Sequence, residues 1–417
     1  MKVLLKTYGC RANQYDSEAI RAMLEAVGAE ETVIAEEADA AIFNSCSVTA
    51  AAESDLRADV RRVAKLNPRI RSVIVGCAPG SPERDEKRNP LRTLPAVTDV
   101  ISGSDTAALA GLLGVERLDP RTTRVVQTGA RALLRIQDGC DEHCTFCAAT
   151  LARGTNRSRP AHVLVAEAAA LAQSHPEIVI TGIHIGSYGA DFGSSLGALM
   201  DELICRVSDV RFRLSSLEAT EVDETLRRLL SADARRLAPY LHAPLQSGSN
   251  SVLKRMGRHW YDAERYAAAV ERIVDGRTGF ALCADVITGF PGETEADHRS
   301  TMSLVERLPF TSLHVFPFSA RPGTAALRLS GPVPSSVSAA RAGELRSVSA
   351  ARGRAHARRR AGKMADVVVI GRGEGLTEDY LSVTVPDLNI PRRTRFDAQL
   401  ALEKYCLIAT PLGPQSG

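Results

Sequence analysis

Cys10, Cys46 and Cys77 each stand just past the end of a short apolar run, and that recurrence restricts the fold more than any other feature of the chain. Val3-Leu4-Leu5, Ala41-Ile42-Phe43 and Val73-Ile74-Val75 read as strands. Between the first two, Ile20, Met23, Leu24 and Val27 follow helical spacing, with Asp16 or Ser17 placed to cap the start and Gly28 to end it. Leu56, Val60 and Val63 mark a second helix before the third strand. Such alternation implies a parallel sheet with right-handed crossovers, a Rossmann-like α/β domain. The C-terminal ends of parallel strands share one edge, where ligand sites form. The three thiols are therefore expected to converge; the alternative is three separately buried cysteines, a common fate for that residue.

The alternation restarts near residue 133. Leu133–Ile136, Ile178–Ile183, Phe212–Leu217, Tyr240–Leu245, Phe280–Ile287 and Leu313–Phe318 read as strands, with helical patterns between them. Six strand–helix repeats suit a partial (β/α)6 barrel, whose chemistry belongs at the C-terminal strand ends. Directly after the first of these strands comes DGCDEHCTFC, in which Cys140, Cys144 and Cys147 form C-x3-C-x2-C. Three thiolates at this spacing wrap three corners of a four-iron cluster and leave one iron without a protein ligand. That iron is then able to chelate S-adenosylmethionine, which an electron cleaves to a 5′-deoxyadenosyl radical. The alternative is zinc, with His143 or a distant residue as fourth ligand.

Composition narrows the remaining choices. A chain of 417 residues calls for two or three domains. Nine cysteines, with no export signal in MKVLLKTYG, argue against a disulfide framework and for a cytoplasmic protein. No apolar run reaches the roughly 20 residues that span a bilayer. The net charge of +3 neither demands nor excludes a nucleic-acid partner. Basic residues do cluster between Arg341 and Lys363, read as a solvated helix packed on the barrel with a plausible phosphate-contacting surface. Beyond it Val367–Ile370, Leu381–Val385 and Phe396–Leu402 suggest a small β barrel or sandwich, either an RNA-binding appendage or a structural cap.

These motifs together resemble the radical S-adenosylmethionine methylthiotransferases along essentially the whole chain. The resemblance rests on TYGCRANQYDSE, FNSCSVT, VGCAPG, RIQDGCDEHCTFC, ARGTNRSR, TGIHIGSYG, RLSSLEATE, LHAPLQSGSNSVLKRMGRHWY, DVITGFPGETEADH and HVFPFSARPGTAA. It implies an N-terminal methylthiotransferase domain at 1–125, a radical S-adenosylmethionine barrel at 126–355 and a TRAM-like β domain at 356–417. It also implies two [4Fe-4S] clusters, a radical one on Cys140, Cys144 and Cys147 and an auxiliary, sulfur-bearing one on Cys10, Cys46 and Cys77. One S-adenosylmethionine would supply the methyl group and another the radical. GCRANQYDSE, GIHIGSYGADFG and LKRMGRHWY are most like the branch acting on N6-threonylcarbamoyladenosine, at position 37 beside the tRNA anticodon. Its siblings act on isopentenyladenosine in tRNA or on a ribosomal-protein aspartate; a non-catalytic iron–sulfur RNA-binding protein is the reading outside the class. An electron donor such as flavodoxin or ferredoxin is implied as a partner. The run Ala148-Ala149-Thr150-Leu151-Ala152 departs from the bulky, proline-containing run usual after the third cysteine, without loss of a ligand.

Five further residues are candidate S-adenosylmethionine contacts. Phe146 resembles the family aromatic near the adenine, or fills core. Gly289, in GFPGE, shapes an adenine pocket or a tight turn. Ser216 and Glu218 end the third barrel strand, where Glu218 reaches a ribose or serves as a cap or salt bridge; Gln246 ends the fourth. Arg153, Arg157 and Arg159 meet cofactor carboxylate, RNA phosphate or solvent. Cys205, Cys283 and Cys406 are expected in the core without a ligand role.

Overall fold

Apolar alternation builds the N-terminal sheet as its sequence dictates. In a computed structural model, which describes residues 1–47, 50–79, 89–101, 105–115, 124–277 and 279–412, β1 (Lys2–Thr7) leads into α1 (Arg11–Ala26) and the short β2 (Glu30–Glu31). Then follow β3 (Ala40–Ser45), α2 (Ala50–Leu66), β4 (Arg71–Gly76), β5 (Val97–Val100) and α3 (Thr106–Leu113). All pairings are parallel, in the order β2-β1-β3-β4-β5. Leu4, Phe43 and Ile74 bury one face against α2, and Val3, Leu5, Ile42 and Val75 bury the other against α1 and α3. Each such side chain contributes about 1.5–3 kcal/mol on leaving water.

Helix α1 begins at Arg11, a full turn before the expected cap, with Cys10 at its N-cap. Asp16 and Ser17 lie inside the helix and are buried, as is Asn13. These inward polar residues are what disguised the first turn, because a buried helical face is ordinarily recognised by apolar residues.

The second half of the chain alternates again. β6 (Ala132–Arg135) is followed by β7 (Gln137–Asp138), α4 (Ala149–Arg153), β8 (Arg157–Ser158), α5 (Ala161–Ala172), β9 (Glu177–Thr181), α6 (Leu196–Arg206) and β10 (Arg211–Leu214). Next come α7 (Glu224–Ala232), β11 (Tyr240–His242), α8 (Asn250–Arg255), α9 (Ala263–Val274), β12 (Ala281–Thr288), α10 (Glu295–Arg307) and β13 (Ser312–Pro317). The parallel sheets β6-β9-β10 and β11-β12-β13 are linked by a parallel bridge from Ser216 to His242. Six strands thus form the partial barrel, and all six match the expected runs. Leu134, Ile178, Ile180, Phe212, Leu241, Leu282 and Ala284 face the surrounding helices in one large core.

Helix α11 (Ser335–Arg360) then packs on the barrel, burying Ala342 and Leu345. Five strands close the small C-terminal barrel in the order β14-β15-β16-β18-β17: β14 (Met364–Gly371), β15 (Glu374–Thr377), β16 (Ser382–Thr384), β17 (Arg395–Glu403) and β18 (Cys406–Pro411). β15 and β18 escaped the sequence reading: one is short and holds Gly375, the other follows directly on a turn at Lys404, whose φ is +55°.

This barrel seals the lower end of the larger one. Glu177 of β9 is fully buried between Arg211 and Arg213 of β10, with Nε–Oε distances of 2.6 and 2.8 Å. Arg131 adds a third guanidinium at 3.4 Å. Burial pushes the Glu177 carboxyl up, but the guanidinium groups of Arg213 and Arg211 outweigh it and hold the group well below the ordinary range. The same arginines donate to the carbonyls of Asp366 and Thr377 at 2.8 and 3.0 Å, and Tyr380 stacks on Tyr240 with centroids 4.5 Å apart. Among the described residues no helix is long and apolar enough to cross a membrane.

Two compact units result: Met1–Arg124 with Gln137–Arg157 and Ser319–Arg328, and Val125–Ile136 with Ser158–Phe318 and Leu329–Gly417. Cys283 is buried as expected, whereas Cys205 and Cys406 are exposed. Cys205 sits beside exposed Arg206 on the outer side of α6, and Cys406 opens β18 just past a surface turn.

Candidate metal centres

Parallel strands deliver their C-terminal ends to one edge, and in the first unit each of β1, β3 and β4 is followed there by a cysteine. Cys10 follows β1, Cys46 follows β3 and Cys77 follows β4, and these three strands are neighbours in the sheet. Asn13, on the first turn of α1, pins the edge together. Its Nδ2 donates to the carbonyls of Tyr8 and Ser45 at 3.0 and 2.6 Å. Its Oδ1 accepts from the thiols of Cys77 and Cys10 at 3.7 and 4.0 Å. The Cys77 amide donates to Ser45 at 3.0 Å, and Ser45 Oγ donates to Val75 at 2.5 Å. Gly9 has a φ of +88°, and a Cβ there would meet Cys46 Sγ at 2.3 Å. Only a glycine lets the Cys10 loop lie so close to Cys46.

The second cysteine group belongs to the same compact unit. Gly139, with φ +73°, turns the chain out of β7 into Cys140; a Cβ at that position would meet the Thr155 carbonyl oxygen at 1.9 Å. The amides of Glu142 and Ala149 point at Cys140 Sγ and Cys147 Sγ, both at 3.4 Å, and the Cys147 amide closes a turn on the Cys144 carbonyl at 3.1 Å. Amides aimed at sulfur favour thiolate ligands. Ala326 donates to the Thr145 carbonyl at 2.8 Å, tying Ser319–Arg328 to this loop.

Arg153, the last residue of α4, joins the two groups. It is 2% exposed. Its guanidinium donates to Asp16 Oδ2 at 2.6 Å, Asn13 Oδ1 at 2.7 Å, Cys77 Sγ at 3.2 Å and Asp138 Oδ1 at 3.5 Å. Burial pushes the Cys77 thiol up to about 12 even against the opposing pull of the Arg153 charge. Beside Cys77 opens a small cleft lined by Ser47, Glu53, Ala148, Leu151 and Arg321, with Arg321 paired to Glu53 at 2.9 Å. The donor set fits clusters: two groups of three thiols, each supplied with polar N–H groups and with no fourth cysteine beside it among the described residues.

The remaining candidates are placed unevenly. Phe146 lies half-buried in the cysteine loop. In the second unit Ser216 is exposed just past β10, and Gln246, with φ +63°, donates its amide to the Asp285 carbonyl at 2.8 Å. Glu218 is buried against Arg258 and accepts from Trp260 Nε1 at 2.5 Å, the salt-bridge alternative read from its sequence position. Gly289 faces helix α11: a Cβ there would meet Ser338 Oγ at 2.4 Å, and its amide donates to Glu293. Arg159 pairs with Glu167 at 2.6 Å, and Arg157 lies near Asp138 at 3.7 Å. Sequence reasoning missed Asn13 and the structural office of Arg153. Their signal was present only as polar residues following Cys10 and Cys147, and nothing in the spacing brings them together.

Two protein families match separate parts of the chain. Residues 2–99 match the uncharacterized protein family UPF0004, and residues 134–305 match the radical SAM superfamily. The threonylcarbamoyladenosine tRNA methylthiotransferase MtaB of Thermotoga maritima is 36% identical over 353 residues, covering 80% of this chain and 78% of that protein. A tRNA-2-methylthio-N(6)-dimethylallyladenosine synthase of Cereibacter sphaeroides is 36% identical over 341 residues, covering 78% and 77%. Among solved structures, the radical S-adenosylmethionine methyltransferase TsrM of Kitasatospora setae shares the fold, with a TM-score of 0.56 at 14% identity over 78% of this chain and 76% of that one.

Proposed function

We propose, from the fact that this chain belongs to the radical S-adenosylmethionine methylthiotransferases, that it adds a methylthio group to C2 of N6-threonylcarbamoyladenosine at position 37 of tRNA. The observation that carries the reading is the gathering of Cys10, Cys46 and Cys77 at one sheet edge, joined through Arg153 to the loop of Cys140, Cys144 and Cys147. Cys140, Cys144 and Cys147 would hold one [4Fe-4S] cluster, and Cys10, Cys46 and Cys77 a second. Bound there, the clusters and S-adenosylmethionine supply the radical that removes hydrogen from the target carbon and the sulfur that replaces it.

The chain's own residues hold and orient. Three cysteines at each site leave one corner without a protein ligand, as both roles demand. Asn13 and Arg153 fix Cys77 against the edge, excluding water from its sulfur. Phe146, Ser216, Glu218, Gln246 and Gly289 remain proposed S-adenosylmethionine contacts, Glu218 by way of its Arg258 and Trp260 partners and Gly289 as a turn. Residues 1–125, 126–355 and 356–417 are the proposed methylthiotransferase, radical S-adenosylmethionine and TRAM-like β domains. A cytoplasmic flavodoxin or ferredoxin is the proposed electron source.

Nucleoside analysis of tRNA from cells with and without the gene tests the substrate. Loss of the methylthiolated threonylcarbamoyl nucleoside on deletion, restored by the wild-type gene, is expected. Loss of the methylthiolated prenyl nucleoside instead would assign the chain to the function named for the Cereibacter relative. An unchanged tRNA profile would sink both.

A further inference from the structure

Three consecutive barrel strands carry metal-binding side chains that the six clustered cysteines leave unused. Parallel register sets His242 of β11 opposite Cys283 of β12, and Asp285 of β12 opposite His314 of β13. Leu241, Leu282, Ala284, Leu313 and Val315 point to the helix-side core, so their alternating neighbours His242, Cys283, Asp285 and His314 point to the barrel interior. One ligand atom from each of His242, Cys283 and His314 lies within 4.8 Å of the other two, the one such set of side chains among the described residues. Asp285 completes the group: its Oδ1 is 2.9 Å from His242 Nε2 and 3.3 Å from His314 Nδ1.

The directions of these groups carry more than their distances. His242 Nε2 is shielded from solvent, yet it makes no aligned hydrogen bond among the described residues. The imidazole and the carboxylate are therefore close without an aligned hydrogen bond between them. The two rings stand edge to face with centroids 5.1 Å apart. Ion pairing alone accounts for Asp285 beside His314. It gives no charge partner to the buried Cys283 thiol and leaves His242 Nε2 beside Asp285 without an aligned hydrogen bond.

We propose that His242, Cys283, His314 and Asp285 bind one divalent transition-metal ion of the zinc class. Two imidazoles, a thiolate and a carboxylate make a four-coordinate set of borderline softness, which suits zinc far better than calcium or magnesium. Binding displaces the thiol proton and any proton on the two ligating ring nitrogens. Its ligands come from three adjacent strands, at the last residue of β11 and within the first five residues of β12 and β13, so the ion ties the three strands in register. Cys283, a core residue by sequence, becomes a ligand through the register of its neighbours.

The test uses full-length protein with its iron–sulfur sites reconstituted anaerobically, equilibrated with buffered zinc and then analysed for metals by mass spectrometry. Wild type is expected to hold about one zinc per chain, and Cys283→Ala and His314→Ala to hold it about tenfold or more weakly, with iron unchanged. Unchanged iron and an unchanged melting temperature in His314→Ala, whose side chain is half-exposed, exclude misfolding as the cause. Cobalt offered in place of zinc should give a thiolate charge-transfer band that Cys283→Ala abolishes. The proposal is overturned if the reconstituted wild type takes up no zinc, or if zinc is retained equally by wild type and both variants. Neither readout involves tRNA, so the result is independent of the substrate assignment.

Discussion

Arg153 Nε lies 3.2 Å from Cys77 Sγ, so a guanidinium at the end of one cysteine loop donates to a sulfur of the other group. Hydrogen bonds to ligand sulfur stabilise the more reduced, more negative state of a cluster and raise its potential. Arg153→Gln is therefore expected to lower the potential of the cluster proposed at Cys10, Cys46 and Cys77, and Arg153→Lys to lower it less. It also strips Asp16 of its buried partner, a loss of about 3–5 kcal/mol. Potentiometric titration followed by electron paramagnetic resonance reads the first effect, and chemical denaturation the second. A potential indifferent to both substitutions would mean that Cys77 does not ligate a cluster.

Cysteine replacement separates the two sites by their iron. Cys46→Ala should drop the reconstituted protein from about eight irons per chain to about four. Reductive cleavage of S-adenosylmethionine should persist while tRNA methylthiolation disappears. Iron analysis decides; a full complement in this variant would remove Cys46 from the ligand set.

Gly139→Ala tests the other loop without touching a ligand. Its φ of +73° and the Thr155 oxygen 1.9 Å from the added carbon force the turn before Cys140 to open. Cleavage of S-adenosylmethionine should fall by about tenfold or more, as a misplaced reacting group commonly costs. The thermal transition should shift only modestly. Wild-type cleavage would show that the loop tolerates rearrangement.

Glu177 gives the barrel a pH signature. Its folded value is depressed, so its stabilising effect is complete above the unfolded glutamate value of about 4.3 and is lost as the pH falls further. Glu177→Gln leaves Arg211 and Arg213 buried without their carboxylate and should cost about 3–5 kcal/mol at neutral pH. The gap between the two proteins should narrow below about pH 4. Urea midpoints across that range check the sign; a gap that widens in acid would contradict it.

The strands and the cysteine edge were readable because both follow from spacing. Apolar runs of the length of Ala41–Phe43 alternate with helical stripes, and whatever follows a parallel strand lands on the shared edge. The polar residues that complete the site obey no period. Asn13 and Asp16 occupy the inner face of α1, where hydrophobic patterning predicts the reverse, and this moved the expected helix start past them. Arg153 meets Asp16 across 137 residues of sequence. His242, Cys283 and His314 look unremarkable singly, because only strand register makes them neighbours. Gly289 and Glu218 stand at strand ends as read, and the partners seen there are Ser338 and Glu293 for the one, Arg258 and Trp260 for the other.

The stack of Tyr380 on Tyr240, with Arg211 and Arg213 bonded to Asp366 and Thr377, means that the last strands serve as a floor as well as an appendage. A chain cut after α11 would leave three guanidinium groups and a carboxylate open to water. Any other module grafted onto this scaffold must therefore bring its own aromatic stopper and two carbonyl acceptors.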